Sequence, residues 1–126
     1  MIDCAVIGDS IAIGVAPYLP HCAVNAKIGI PSAAVIGRVR DAAVVIVSAG
    51  SNDPYNPELI KNLIEIRRKI SGQVIWIEPI NRRAAAAVHA VAGLWQDRTV
   101  TFAPGPDNVH PRAYLQLAQA IAKAIR

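Results

Sequence analysis

Apolar, β-branched runs recur along the chain at Ile2 to Ile7, Cys22 to Ile28, Ala43 to Val47, Gln73 to Ile77 and Thr99 to Phe102, and a stretch with helical spacing follows each. Strands alternating with helices in this way predict a parallel sheet with helices packed on both faces. The clearest helix follows Asn56-Pro57 and sets Leu59, Leu63, Ile66 and Ile70 on one stripe, with Lys61, Glu65, Arg68 and Lys69 turned outward until Ser71-Gly72 stops it. The last helix starts at Pro111, a residue type suited to the first helical position, and packs Tyr114, Leu117, Ala118, Ile121 and Ile125 to the end of the chain. Arg83 to Trp95 reads as an Ala-rich helix ended near Gln96-Asp97, and Ser10 to Leu19 and Pro31 to Arg40 as shorter helices carrying Gly14 and Gly37.

Five such units imply an α/β fold of three layers, an α/β/α sandwich around a flavodoxin-like five-stranded parallel sheet of order 2-1-3-4-5. Right-handed crossovers leave few alternatives at this size. In sheets of this kind ligands bind beyond the carboxyl ends of the strands. Gly8 to Ser10, Gly29, Gly50 to Asp53, Pro79 to Arg82 and Pro104 to His110 all fall at that edge.

Length and composition narrow the picture. At 126 residues, with 53% hydrophobic and 17% charged positions, the chain has room for one domain, 1–126, and one packed core. The longest apolar stretch, Ala42 to Val47, has the length of a strand and falls short of a membrane span. Met1-Ile2-Asp3 runs straight into a strand pattern with no basic start, so a cytoplasmic location is expected. Release, or membership of a larger assembly, stays open. Cys4 and Cys22 read as buried thiols in a reducing compartment, with a disulfide or a catalytic thiol as the alternatives. The net charge of +4 includes Arg67-Arg68-Lys69, which reads as a solvated helix end. No basic stripe interleaved with aromatics is present, so no nucleic-acid partner and no membrane partner are expected. A preference for anionic substrates fits the charge, and the oligomeric state stays open.

Three short segments at the sheet edge hold the chemistry: Gly8-Asp9-Ser10, Gly50-Ser51-Asn52-Asp53 and Asp107-Asn108-Val109-His110. A hydroxyl attacks a carbonyl at neutral pH only when a base takes its proton, and that base needs an acid to set its tautomer. Asp107 and His110, three apart in a loop entering a helix, place a carboxylate beside Nδ1 while Nε2 faces Ser10. Backbone amides at the start of the helix after Gly8-Asp9, a Gly29 amide and the Asn52 carboxamide supply donors for a developing oxyanion. Loss of one such donor costs about 3 to 4 kcal/mol of transition-state stabilisation. His89 reads as a partly exposed or core histidine, and His21 lies at the wrong end of the sheet. With the three histidines this dispersed, no metal and no cofactor are expected. Gly8 and Gly14 form neither a dinucleotide fingerprint nor a phosphate loop, and the clustered acids of a phospho-accepting receiver are missing. The early Ser and the adjacent Asp-x-x-His also differ from the mid-chain elbow of α/β-hydrolases.

At these residues the chain resembles the SGNH hydrolase family, the GDSL esterases and lipases. Gly8-Asp9-Ser10 is similar to the family's first block, Gly29 to its second, Gly50-Ser51-Asn52-Asp53 to its third and Asp107-Asn108-Val109-His110 to its last, in order over the whole length. Ile11 stands where Leu is usual, and the chain is shorter than most members. The resemblance implies Ser10 as nucleophile, His110 as general base and Asp107 as its orienter, with Ser10, Gly29 and Asn52 as the oxyanion hole. It implies an esterase releasing short acyl groups, with carbohydrate O-acetyl esters as the leading substrate class. At the sheet edge, Asn81, Arg82 and Arg83 read as contacts for sugar hydroxyls or an anionic group, with a solvated helix start as the equal alternative for the two arginines. A thioesterase or short-chain lipid esterase is the alternative, and a non-catalytic binding module on the same fold is the alternative of another class.

Overall fold

The computed structural model describes residues 3–126. Strands β1 (Cys4–Gly8), β2 (Ala23–Ala26), β3 (Val44–Ser48), β4 (Gln73–Ile77) and β5 (Arg98–Val100) form one sheet of order β2-β1-β3-β4-β5, every neighbouring pair parallel. Helices α1 (Ser10–Val15), α2 (Ser32–Ile36), α3 (Leu59–Arg68), α4 (Arg82–Trp95) and α5 (Tyr114–Ala124) connect and cover it, with a turn of 3-10 helix at Ala16–Tyr18 after α1. The topology is the one expected from the alternation of strand and helix patterns. Among the described residues, no helix is long and apolar enough to cross a membrane.

Successive strand residues point to opposite faces, and the sheet sorts its side chains accordingly. Ala5, Ile7, Val45, Val47, Val74 and Trp76 meet α2, α3 and α4, while Cys4, Val6, Val44, Ile46, Ile75 and Ile77 meet α1 and α5. Because both faces are covered, β1 and β3 are buried along their whole length, which is why they read as continuous apolar runs. Gly8 ends β1 at φ +133°, and a Cβ there would lie 1.9 Å from the Ser48 carbonyl oxygen. Only glycine allows β1 to approach β3 so closely at that edge.

Several sequence expectations shift. The helix expected over Ser10 to Leu19 gives way to a 3-10 turn at Ala16, the one over Pro31 to Arg40 stops at Ile36 in a turn, and α3, which starts after Asn56-Pro57 as expected, ends at Arg68, before Ser71-Gly72. Pro111 does not begin the last helix. It forms an isolated antiparallel bridge with Pro104, and α5 starts at Tyr114 and ends at Ala124. Arg67 is not part of a solvated helix end. Its guanidinium is buried, donating to both carboxylate oxygens of Asp97 at 2.7 and 3.1 Å and to the Ile70 carbonyl at 2.8 Å, and it lies 5.4 Å from the Trp95 ring centroid.

Cys4 and Cys22 are joined in a disulfide, so the free-thiol reading is corrected. The register of β1 on β2 pairs Ala5 with Ala23, which sets the two preceding cysteines opposite each other with Cα atoms 4.7 Å apart, inside the disulfide range. Cys22 thus precedes β2 instead of lying in it.

Candidate functional site

The carboxyl edge of the sheet collects the predicted segments. Asp9 follows β1 and caps α1: its Oδ1 accepts the Ile11 amide at 3.1 Å and the Ser48 hydroxyl at 2.8 Å, while its own amide donates to the Ser48 carbonyl at 3.1 Å. This anchors the first turn of α1 to the end of β3. Ser10, the first residue of α1, is partly exposed above it.

Ser10 Oγ lies 2.8 Å from His110 Nε2, and His110 Nδ1 lies 2.5 Å from Asp107 Oδ2. An ionised carboxylate only accepts, so Nδ1 carries the ring proton and Nε2 is left to accept from the Ser10 hydroxyl. The other Asp107 oxygen accepts the Val109 and His110 amides at 3.0 and 2.9 Å. The hydrogen bond from the His110 ring, followed by those two amides, holds the Asp107 carboxyl far below the usual carboxylate range. The loop itself is pinned by Gly105 N–H to the His110 carbonyl at 2.8 Å and Arg112 N–H to the Ala103 carbonyl at 2.8 Å, with Asn108 at φ +57° making the tight turn. Asn is among the residues that tolerate this left-handed conformation.

The candidate oxyanion donors come from three separate segments after β1, β2 and β3. Asp9 Oδ1 takes the Ile11 amide, and among the described residues the Ser10 amide has no acceptor. Gly29 sits exposed in the loop after β2 at φ +78°. Asn52 Nδ2 donates to the Ile30 carbonyl at 2.9 Å, which fixes its carboxamide next to the Gly29 segment. A primary amide has two hydrogens, so one remains for a ligand. Asp53 is more than a turn cap: it accepts the Ser32 amide and hydroxyl at 2.9 and 2.6 Å and the Asn56 carboxamide at 3.0 Å, tying the loop after β3 to the start of α2.

Asn81 and Arg82 line a cavity of about 460 Å³ together with Ser51, Pro79, Asn108 and Val109, so the loop bearing His110 forms one of its walls. Asn81 Oδ1 caps α4 by accepting the Arg83 and Ala84 amides at 2.9 and 3.2 Å. Its NH2 group is what remains for a ligand. His89 stands apart on the exposed face of α4, with Nδ1 4.0 Å from Glu78 Oε1. His21, Cys4 and Cys22 bring potential metal-ligand atoms within 4.8 Å of one another, but both sulfurs are already bonded to each other.

Two features of the site escaped sequence reasoning. The Asp9 carboxyl is fully buried, and among the described residues its Oδ2 has no hydrogen-bond partner. Burial pushes its pKa up to about 6, against the opposing pull of the Ser48 hydroxyl, the Ile11 amide and nearby His110. Tyr114 lies under Gly14, where a Cβ would come 2.1 Å from the ring, and its hydroxyl is pushed up by burial and by the charges of Asp9 and Asp107. The position of Asp9 between Gly8 and Ser10 was the available signal. Its burial depends on what α1 and the end of β3 place around it.

No family model and no curated protein matches the chain. Among solved structures, the C-terminal catalytic domain of Streptococcus pneumoniae peptidoglycan O-acetyltransferase A (OatA), carrying a methylsulfonyl adduct, is similar to it at a TM-score of 0.67 and 17% identity, over 98% of this chain and 92% of that one. The two chains share an α/β fold.

Proposed function

We propose that the protein is a serine esterase of the SGNH type that cleaves short acyl esters, O-acetyl groups on carbohydrate above all. The observation that carries this reading is the continuous hydrogen-bonded chain from Ser10 through His110 to Asp107 at the carboxyl edge of the sheet. In this reading Ser10 Oγ bonds to the acyl carbon as its proton passes to His110 Nε2. The carbonyl oxygen becomes an oxyanion facing the Ser10 and Gly29 amides and the Asn52 NH2 group. Asp107 stabilises the imidazolium and does not take its proton. His110 then protonates the departing alcohol, and water, deprotonated by the same imidazole, releases the acid from Ser10. Gly29 is exposed and Ile28 is 70% exposed, so the acyl side is open to solvent, which favours a small acyl group over a long chain.

Acyl transfer to a second alcohol in place of water is the second reading, and the similarity to an O-acetyltransferase catalytic domain favours it. The chemistry up to the acyl-enzyme is the same in both. The Cys4–Cys22 disulfide supports an oxidising compartment over the cytoplasm, since such bonds persist outside reducing cell interiors. An extracytoplasmic site would also give the enzyme access to polysaccharide.

Hydrolysis of p-nitrophenyl acetate by wild type and Ser10→Ala, with a fluorophosphonate label read by intact mass, tests the proposal. Turnover and one adduct, both lost in the variant, are expected. Folded wild type with neither would overturn it in favour of the binding module. A search for acetylated products with an added alcohol separates transfer from hydrolysis. Octanoyl and thioester substrates, expected to be poor, address the lipid esterase and thioesterase readings.

A further inference from the structure

We infer that the leaving-group side of the site is built for a saccharide bearing a carboxylate, with Arg82 and Arg83 as its specificity-determining cations. This rests on the esterase reading and adds the charge of the substrate to it. Two adjoining hollows share Pro54 as a wall: the cavity of about 460 Å³ against the His110 loop, and a second of about 280 Å³ between α3 and α4. Arg82 lines the first and Arg83 the second, so consecutive residues contribute one cationic side chain to each wall. Among the described residues neither forms an ion pair, whereas Arg67 and Arg68 on α3 are both paired with carboxylates. The first turn of α4 contains no acidic residue. The nearby carboxylates are already engaged, Asp107 by His110, Asp53 by Ser32 and Asn56, and Glu58, between the lining residues Pro57 and Leu59, by Lys61 at 3.9 Å.

The rest of the lining suits a sugar. Asn81 offers an NH2 donor in the first hollow, while Pro54, Pro57, Leu59 and Ile60 give the second an apolar wall. Tyr55, 71% exposed and next in sequence to the shared Pro54, has its ring centroid 5.8 Å from the Arg83 guanidinium. A guanidinium fork meets a carboxylate through two parallel hydrogen bonds, which discriminates a charged sugar from a neutral one in a way that a hydroxyl-binding carboxamide does not.

The test is a binding titration that does not depend on turnover. Trigalacturonate and maltotriose are each titrated into the intact protein at low salt, followed by backbone amide NMR shifts. The acidic trimer is expected to bind at least tenfold more tightly, with shifts at Arg82, Arg83 and Asn108. That preference should fall at least fivefold in Arg82→Gln/Arg83→Gln and persist in Lys123→Gln/Arg126→Gln, a pair with the same change in net charge on the C-terminal segment. Dispersed amide spectra report that each variant is folded. Equal affinities, no binding of the acidic trimer at millimolar concentration, a preference that survives in the arginine variant, or equal loss in the control pair would each overturn the inference. Charge-selective binding without p-nitrophenyl acetate turnover would retain this subsite and sink the esterase reading. Turnover without charge selectivity would do the reverse.

Discussion

Asp9 should make the protein less stable as the pH rises through neutrality. Its carboxyl is fully buried, one oxygen is unpartnered among the described residues, and its pKa stands at about 6 against 3.8 for an unperturbed Asp. A group whose folded pKa is raised contributes its stability in full below the unfolded value and loses it as pH rises through the folded one. At about 1.4 kcal/mol per pH unit, ionising Asp9 costs the folded state roughly 3 kcal/mol at pH 8, of which about 2 kcal/mol develops between pH 4.5 and 8. Asp9→Asn removes this titration. The Asn oxygen still accepts the Ile11 amide and Ser48 hydroxyl, while its NH2 group replaces the unpartnered oxygen at a cost of about 1 to 3 kcal/mol that does not vary with pH. The informative quantity is therefore how the stability gap between variant and wild type changes with pH. Urea unfolding of both proteins at half-unit steps from pH 4.5 to 8 measures it, and other titrating groups largely cancel in the difference. The variant should gain about 2 kcal/mol on wild type across that range. A gap that stays constant within about 0.5 kcal/mol would show that Asp9 ionises without penalty, and the account of its burial would fail.

Asp107→Asn should lower kcat by about 10³ to 10⁴-fold with the fold intact, because an Asn NH2 facing Nδ1 favours the tautomer with the proton on Nε2, where it blocks acceptance from Ser10. Steady-state kinetics on p-nitrophenyl acetate check this. The deeply depressed Asp107 carboxyl should stay ionised across the neutral range, so a pH–rate profile of wild type should show no loss of activity from its protonation there. Asp97→Ala should cost about 3 to 5 kcal/mol in urea unfolding, since it strips the buried Arg67 guanidinium of its carboxylate and the Trp76 indole N–H of its acceptor. Replacing both cysteines with Ala should cost about 2 to 4 kcal/mol, and the denatured, unreduced wild type should show no thiol reactive to iodoacetamide by mass.

The sequence by itself determined the alternation of strands and helices, the parallel sheet and its order, and the gathering of Ser10, Gly29, Asn52, Asp107 and His110 at one edge. These are legible because they follow from local periodicity and from the helix between each pair of strands: two-residue and 3.6-residue repeats declare the elements, helical crossovers make neighbouring strands parallel, so every carboxyl end lies at the same edge, and their right-handedness limits the strand orders. Helix boundaries were less legible, as at Pro111, where pairing with Pro104 displaces the helix that proline could have begun.

Tertiary structure alone decided what a side chain meets across the fold. Arg67 sits beside Arg68 and Lys69 in the sequence and reads as solvated, yet Asp97, thirty positions away, draws it inward. The cysteines read as isolated thiols until the register of β2 on β1 sets them face to face. The Asn52 carboxamide is held by the Ile30 carbonyl, twenty-two positions back in the chain, and the raised pKa of Asp9 depends on its enclosure between α1 and the end of β3. Periodicity records which face a residue shares with its neighbours. The partner waiting on that face comes from another part of the chain, and folding alone brings the two together.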